Sequence, residues 1–113
     1  MRETAEASLT QPSELAELAT LYDIYGPLLK ETQKAIFEAY VQDNLSLSEI
    51  SAEFEMTRQG AYDTINRSRK KLREYDEKLG LREKYARILE LIDTADMDDI
   101  NRTKLRDMIE NVL

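Results

Sequence analysis

Residues 46–79, SLSEISAEFEMTRQGAYDTINRSRKKLREYDEKL, decide the fold. Ser46 and Glu49 have the spacing of a capping box, in which the serine hydroxyl accepts from the Glu49 amide and the carboxylate reaches back to the serine amide. This pattern predicts a short helix that ends near Phe54. A longer helix is expected after Thr57, because apolar or small residues then recur every three or four positions, at Ala61, Ile65, Ser68, Leu72, Tyr75 and Leu79.

The connection between these two helices has the packing pattern of a helix-turn-helix. Its expected apolar core consists of Ile50, Phe54, Met56, Ala61 and Ile65. Glu55 stands in the turn where glycine is common, because this position often needs a left-handed backbone. The sequence therefore predicts a helix-turn-helix whose turn departs from the usual residue preference at one position.

Two helices are expected before this motif. Ser13 can cap the first, in which apolar residues recur at helical spacing, and Gly26-Pro27 should end it. Thr32 opens the second helical pattern, and Asp43-Asn44 supplies its break. Residues 1–12 are expected to form a flexible N-terminal segment.

Two more helices are expected after the motif. Gly80 is the expected stop of the long helix, and the apolar positions between Leu81 and Ile92 form the face of a fifth helix. Asp96 is the candidate cap of a sixth, whose apolar stripe begins at Met97. The predicted organisation is a helical domain over residues 13–79, containing the helix-turn-helix at 46–79, followed by C-terminal helices at 80–113 that are candidates for dimerisation.

The composition agrees with an all-α fold. A chain of 113 residues fits one compact domain. Two Pro, three Gly and 35% charged residues favour helices over a β-sandwich or barrel, which would need frequent turn residues. The N-terminus lacks the apolar core of a signal peptide, and no segment approaches the length of a membrane span. We therefore expect a cytoplasmic protein without membrane insertion.

The residue types exclude most catalytic chemistry. The sequence has no Cys and no His, which removes disulfides, zinc sites of the usual ligands, and thiol or imidazole nucleophiles. The acidic run from Asp93 to Asp99 lacks the alternate-residue oxygens, central Gly and terminal Glu of an EF-hand. No acidic pair is held near a nucleophile by its spacing. We expect no enzyme activity, no metal and no cofactor.

The charge is distributed unevenly along the chain. The formal net charge is −7, which by itself argues against nucleic-acid binding, because phosphate neutralisation needs Lys and Arg. Between Thr57 and Arg73, however, six basic side chains accompany one acidic one. Such a run is often only a solvated helix face whose charges pair at helical spacing, for instance with Glu74, Asp76 and Glu77.

The functional alternative is that this basic helix is a recognition helix. In a helix-turn-helix the N-terminal part of the second helix enters the major groove. The side chains predicted to read base edges are Arg58, Gln59, Tyr62 and Asn66, with Asp63 on the same side. Those predicted to contact phosphates are Arg67, Arg69, Lys70, Lys71 and Arg73.

Two family resemblances involve these residues. The run from Leu47 to Ser51, with Thr57 and the basic stretch 65–72, resembles the promoter-reading region of bacterial sigma factors. A resemblance over residues 18–92 is closer and indicates the YlxM-like family of small bacterial proteins. It rests on LYDIYGPLL at 21–29, DNLSLSEI at 43–50, TRQGAYD at 57–63 and YDEKLGL at 75–81. Three features depart from the pattern of this family. They are Gly60, where the family more often has alanine, the long N-terminal segment, and the helix from Met97.

The YlxM-like resemblance implies a sigma-like helix-turn-helix domain. Genes of this family commonly accompany the gene for the GTPase of the signal recognition particle, which implies a link to that particle's RNA, its protein or its regulation. The ligand is then promoter-like DNA or a structured RNA, and one basic helix does not distinguish the two. The alternative is a protein-interaction adaptor that keeps the helix-turn-helix as a scaffold, which the net charge of −7 favours.

A homodimer is also expected. The apolar seam from Ala61 to Leu79 extends beyond the part that the helix-turn-helix needs. Either the C-terminal helices fold back over the remainder, or the seam meets its equivalent in a second chain. Pairing would place two basic helices on one ligand.

Overall fold

The computed structural model describes residues 11–111, and these residues form six α-helices without any strand. The helices are α1 (Pro12–Tyr25), α2 (Glu31–Val41), α3 (Leu47–Glu53), α4 (Arg58–Leu79), α5 (Leu81–Thr94) and α6 (Asp99–Glu110). A 3₁₀ turn, Gly26–Leu28, joins α1 to α2. The predicted all-α fold is therefore confirmed, with α3 and α4 as the two helices of the helix-turn-helix.

The sequence signals that start and stop the motif are confirmed. At the start of α3, the Ser46 hydroxyl accepts from the Glu49 amide at 3.1 Å, and the Glu49 carboxylate accepts from the Ser46 amide at 2.8 Å. Gly80 ends α4 in the left-handed conformation, with φ of 63°. The break after α2 falls where Asn44 takes φ of 56°.

Three predicted helix starts are wrong by one or two residues. α1 begins at Pro12 after Gln11 and not after Ser13, because proline is favoured in the first turn, where its missing N–H costs nothing. α2 begins at Glu31 and not at Thr32. α6 is capped by Asp98 and not by Asp96, since the Asp98 carboxylate accepts from the Asn101 amide at 2.7 Å. The predicted flexible segment 1–12 lies outside the described residues except for Gln11 and Pro12.

α4 is the central helix and packs against α1, α2 and α3. The apolar seam is buried within the chain from Ala61 to Leu72, which is 0% exposed. Tyr75 is half-buried, with its ring 6.0 Å from that of Tyr25, whereas Leu79 is 46% exposed. The same chain therefore covers the seam as far as Tyr75, and the homodimer stays a prediction.

The junction between α4 and α5 is fixed by residues of α1 and α4. Gly80 precedes α5 and has no side chain to cap it. In its place the Tyr25 hydroxyl accepts from the Leu81 amide at 3.0 Å, and Asp76 accepts from the Arg82 amide at 3.2 Å. The Tyr25 hydroxyl also donates to Asp76 at 2.7 Å. Burial and then this hydrogen bond raise the pKa of Tyr25 to about 12, so the hydroxyl keeps its proton at neutral pH.

α6 is held mainly by α5. The Arg102 guanidinium donates to the backbone carbonyls of Ile92, Asp93 and Met97. Arg106 forms an ion pair with Asp93 at 2.6 Å. Arg102 thus bonds two carbonyls in the last turn of α5 and one in the following connection, and Arg106 pairs with an α5 carboxylate, so these contacts fix the turn between the two C-terminal helices.

The turn of the helix-turn-helix requires a left-handed residue, as predicted from its position. Glu55 takes φ of 52° between α3 and α4, and the next amide, that of Met56, donates to the Ser51 carbonyl at 2.9 Å. A left-handed backbone brings Cβ close to the following carbonyl oxygen, and glycine avoids this cost.

We expect Glu55→Gly to raise the free energy of unfolding by about 1 kcal/mol. The same change at Glu53, which lies inside α3, should lower it by a similar amount, because glycine is disfavoured in helices. Urea denaturation followed by circular dichroism measures both variants. Destabilisation by Glu55→Gly would show that the Glu55 side chain makes a contribution that outweighs the backbone cost.

Candidate nucleic-acid interface

The candidate interface is the outer face of α4. The helix is capped by Thr57, whose hydroxyl accepts from the Gly60 amide at 2.9 Å. This cap fixes the first turn, which in a helix-turn-helix is the part that approaches the bases. A Cβ on residue 60 would lie 3.1 Å from that hydroxyl, so Gly60 leaves room for the cap.

The structure brings three of the predicted base-reading residues together. Arg58, Gln59 and Tyr62 surround a shallow depression of about 190 Å³, with the buried Leu47 of α3 as its floor. Tyr62 is 38% exposed, so its ring is available to an external ligand. Leu47 is not among the predicted site residues, although its position next to the Ser46 cap puts it in the first turn of α3.

An acidic side chain lies among these groups. The Gln59 amide donates to the Asp63 carboxylate at 2.9 Å, one helical turn along α4. This bond uses an amide hydrogen and leaves the Gln59 carbonyl oxygen to accept from a ligand. Asp63 also lowers the positive charge at the start of the helix.

The other predicted site residues fall into two groups. Arg67 and Lys70 are exposed, and Asn66 and Lys71 are partly exposed, further along the same helix. Arg67 donates a long hydrogen bond, of 3.4 Å, to the Thr64 hydroxyl. These side chains are placed to reach a ligand that follows the helix axis.

Arg69 and Arg73 point to α1 instead. Arg73 forms ion pairs with Glu14 at 2.6 Å and with Glu17 at 3.4 Å, and Arg69 lies 3.7 Å from Glu14 with only 15% of its side chain exposed. Both side chains contact carboxylates of α1, and their contact with phosphates stays a prediction. The neighbours in α4 do not reveal this pairing, because Glu14 lies 59 residues before Arg73.

The described part of the chain lacks two other kinds of site, a metal-binding cluster and a membrane-spanning helix. Among residues 11–111, no group of three acidic side chains is arranged to hold a metal ion. No helix within that range has the length and apolarity to cross a membrane.

Comparison with known proteins identifies relatives of the whole helical region. The UPF0122 family model, described as "Putative helix-turn-helix protein, YlxM / p13 like", matches residues 13–112. A UPF0122 protein of Listeria innocua is 37% identical over 93 residues, which cover 82% of this chain and 84% of the relative. One of Mycoplasma capricolum is 34% identical over 97 residues, 86% of each chain.

A further relative matches over a shorter region. A UPF0122 protein of Thermoanaerobacter sp. (strain X514) is 42% identical over 76 residues, which are 67% of this chain. The match spans 65% of that relative, just under two thirds of its length. No solved structure matches the chain significantly.

Proposed function

The chain belongs to the UPF0122 family of YlxM/p13-like helix-turn-helix proteins, and from this premise we propose that it binds nucleic acid through the outer face of α4. The observation that carries the proposal is the exposed row of Arg58, Gln59, Tyr62, Arg67 and Lys70 on the side of α4 away from the core. In a helix-turn-helix this face of the second helix meets the ligand.

The order of the side chains along α4 suits two kinds of contact. Arg58 and Gln59 lie in the first turn, where paired donors and acceptors can bond guanine and adenine edges. Asn66 lies on the next turns and extends that row. Arg67, Lys70 and Lys71 follow, at a distance along the helix that suits the phosphate backbone.

The charge distribution around α4 favours one orientation of the protein on a nucleic acid. The chain carries −7 overall although the stretch from Thr57 to Arg73 is basic, so the negative charge lies elsewhere: α1 has three acidic and no basic side chains, and α3 has two acidic and no basic ones. Phosphates are attracted to the basic stretch of α4 and repelled by α1 and α3.

We further propose promoter-like DNA or a structured RNA, such as that of the signal recognition particle, as the ligand. The resemblance of residues 18–92 to the YlxM-like family supports the link to that particle and its protein. A regulatory, non-enzymatic role in the cytoplasm is consistent with it. The exposed Leu79 at the end of the seam supports a homodimer.

Titration of the purified chain with genomic DNA fragments and with signal recognition particle RNA tests the function. We expect binding of one of them with an affinity that falls steeply as salt rises from about 50 to 200 mM. No binding of either at low salt would overturn the proposal and leave the adaptor function.

We expect Arg58→Ala to reduce discrimination between preferred and altered sequences by about tenfold or more, with a smaller loss of overall affinity. The physical reason is that a base contact at the start of α4 distinguishes sequences, whereas a phosphate contact does not. Arg67→Ala is the matched control and should weaken binding to all sequences equally. An equal loss for all sequences with Arg58→Ala would mean that this residue contacts phosphate only.

A further inference from the structure

A second surface of the molecule is a groove of about 450 Å³ between α1, α5 and α6. Its apolar lining consists of Ile24, Tyr85, Ala86, Leu89 and Ile109. The volume lies in the range of ordinary ligand-binding pockets, roughly 300–1,000 Å³. No residue of α4 lines the groove, so it is separate from the candidate nucleic-acid interface.

The sequence of α5 explains why the groove is open. Ala86 is exposed, and its single methyl group leaves space between the larger Tyr85 and Leu89, which are both half-buried. Ile24 on the α1 wall is almost fully buried, whereas Ile109 on the α6 wall is half-buried. The groove is therefore lined by apolar side chains and has a gap above Ala86 that the described residues do not fill.

The rim of the groove offers negative charge. Asp23 of α1 and Glu110 of α6 stand at its walls, and both are exposed. Asp23 has no ion pair within residues 11–111, and Glu110 has one, at 3.6 Å, with Arg106. The one basic residue at the rim, Arg82, already lies 3.6 Å from Glu17 and 3.9 Å from Asp76.

We propose that this groove docks a basic amphipathic helix of a partner protein. Apolar side chains spaced three or four residues apart would fill the space over Ala86, and flanking Lys or Arg side chains would meet Asp23 and Glu110. An acidic partner is disfavoured because it would face two carboxylates, and like charges across an interface are costly. The inference goes beyond nucleic-acid binding and does not depend on it, since the two surfaces share no residue.

Binding of two designed peptides tests both the charge preference of the groove and the location of the binding site. The ligands are two fluorescein-labelled 18-residue amphipathic helices, one of Leu and Lys and one of Leu and Glu at the same positions. We expect the Leu/Lys helix to bind the full chain at least tenfold more tightly than the Leu/Glu helix, as measured by fluorescence anisotropy. In nuclear magnetic resonance spectra, the shifted amides should cluster around Ala86 and Ile24.

Two substitutions locate the site. Ala86→Trp fills the gap, and Asp23→Lys reverses the charge of one wall, so each should weaken Leu/Lys binding at least tenfold. Ala52→Trp on the exposed side of α3 makes the same side-chain change outside the groove and should leave binding unchanged. Circular dichroism checks that each variant is folded.

Equal binding of both peptides, or unchanged binding to both groove variants, would overturn the proposal. Spectral shifts confined to other helices would do so as well. Titration of Ala86→Trp with nucleic acid separates a failure of the groove proposal from a failure of the proposed function. We expect this variant to lose peptide binding and to bind nucleic acid as the native chain does.

Discussion

Replacing Arg67, Lys70 and Lys71 together with Ala is expected to weaken nucleic-acid binding roughly a hundredfold at about 100 mM salt. Each lost phosphate contact should also reduce the slope of log K against log salt by about one unit, so the slope should fall by about three. The change should leave the fold intact, because these positions lie outside the core and surface substitutions change stability by less than about 0.5 kcal/mol each. Fluorescence anisotropy in a salt series measures both quantities.

A charge-matched control separates local contact from net charge. Lys84, Arg87 and Lys104 are exposed on α5 and α6, and replacing all three with Ala removes the same charge from helices other than α4. This control should change affinity much less than the α4 variant. An equal loss in both variants would show that binding depends on overall charge and not on the outer face of α4.

Leu72→Glu is expected to unfold the protein. Leu72 is 0% exposed in the core, so a carboxylate there would be buried without a partner. The cost is roughly 4 kcal/mol or more, against a typical total stability of about 5–15 kcal/mol. Circular dichroism in urea should show a large loss of the unfolding midpoint or no folded state at all.

Leu79→Glu is the matched substitution at the exposed end of the same seam. It should leave the unfolding midpoint nearly unchanged, because the carboxylate would lie in solvent. If the predicted homodimer forms through this end of α4, sedimentation should show dissociation of this variant into monomers. A monomeric native chain at tens of micromolar would contradict the homodimer, and a stable Leu72→Glu variant would contradict the position of α4 in the core.

Local signals made most of the fold predictable. The capping box at Ser46, the stop at Gly80 and the repeated apolar spacing of α4 each act within a few residues, so the helices and their order follow from the sequence. The starts of α1 and α6 do not follow from residue types alone, because several nearby residues can serve as caps. For α6, both Asp96 and Asp98 have suitable side chains, and only the path of the preceding turn selects Asp98.

The candidate site was predictable only in part. Arg58, Gln59 and Tyr62 share one exposed side of a single helix, so helical spacing places them together. Helical spacing does not predict which basic residues of α4 pair with α1 and which stay exposed. Arg73 pairs with Glu14 across the packing of α1 on α4, and a charge pattern within one helix contains no information on that contact. The groove beside α6 depends on three separated helices and has no sequence signal of comparable clarity.

The hydrogen bond between Tyr25 and the start of α5 fixes the angle between α4 and α5 at Gly80, a residue whose backbone is otherwise flexible. The hydroxyl ties α1 to an amide 56 residues later, so α5 cannot rotate about Gly80 without leaving a buried donor and acceptor unsatisfied. A partner bound in the groove would consequently have a fixed orientation relative to a nucleic acid bound on α4. The Tyr25 hydroxyl keeps its proton above the ordinary tyrosine pKa of about 10 and loses it as pH rises toward 12. The bond donated to Asp76 is then lost and a second negative charge is buried beside that carboxylate, so the folded state is destabilised there, although the phenolate still accepts from the Leu81 amide.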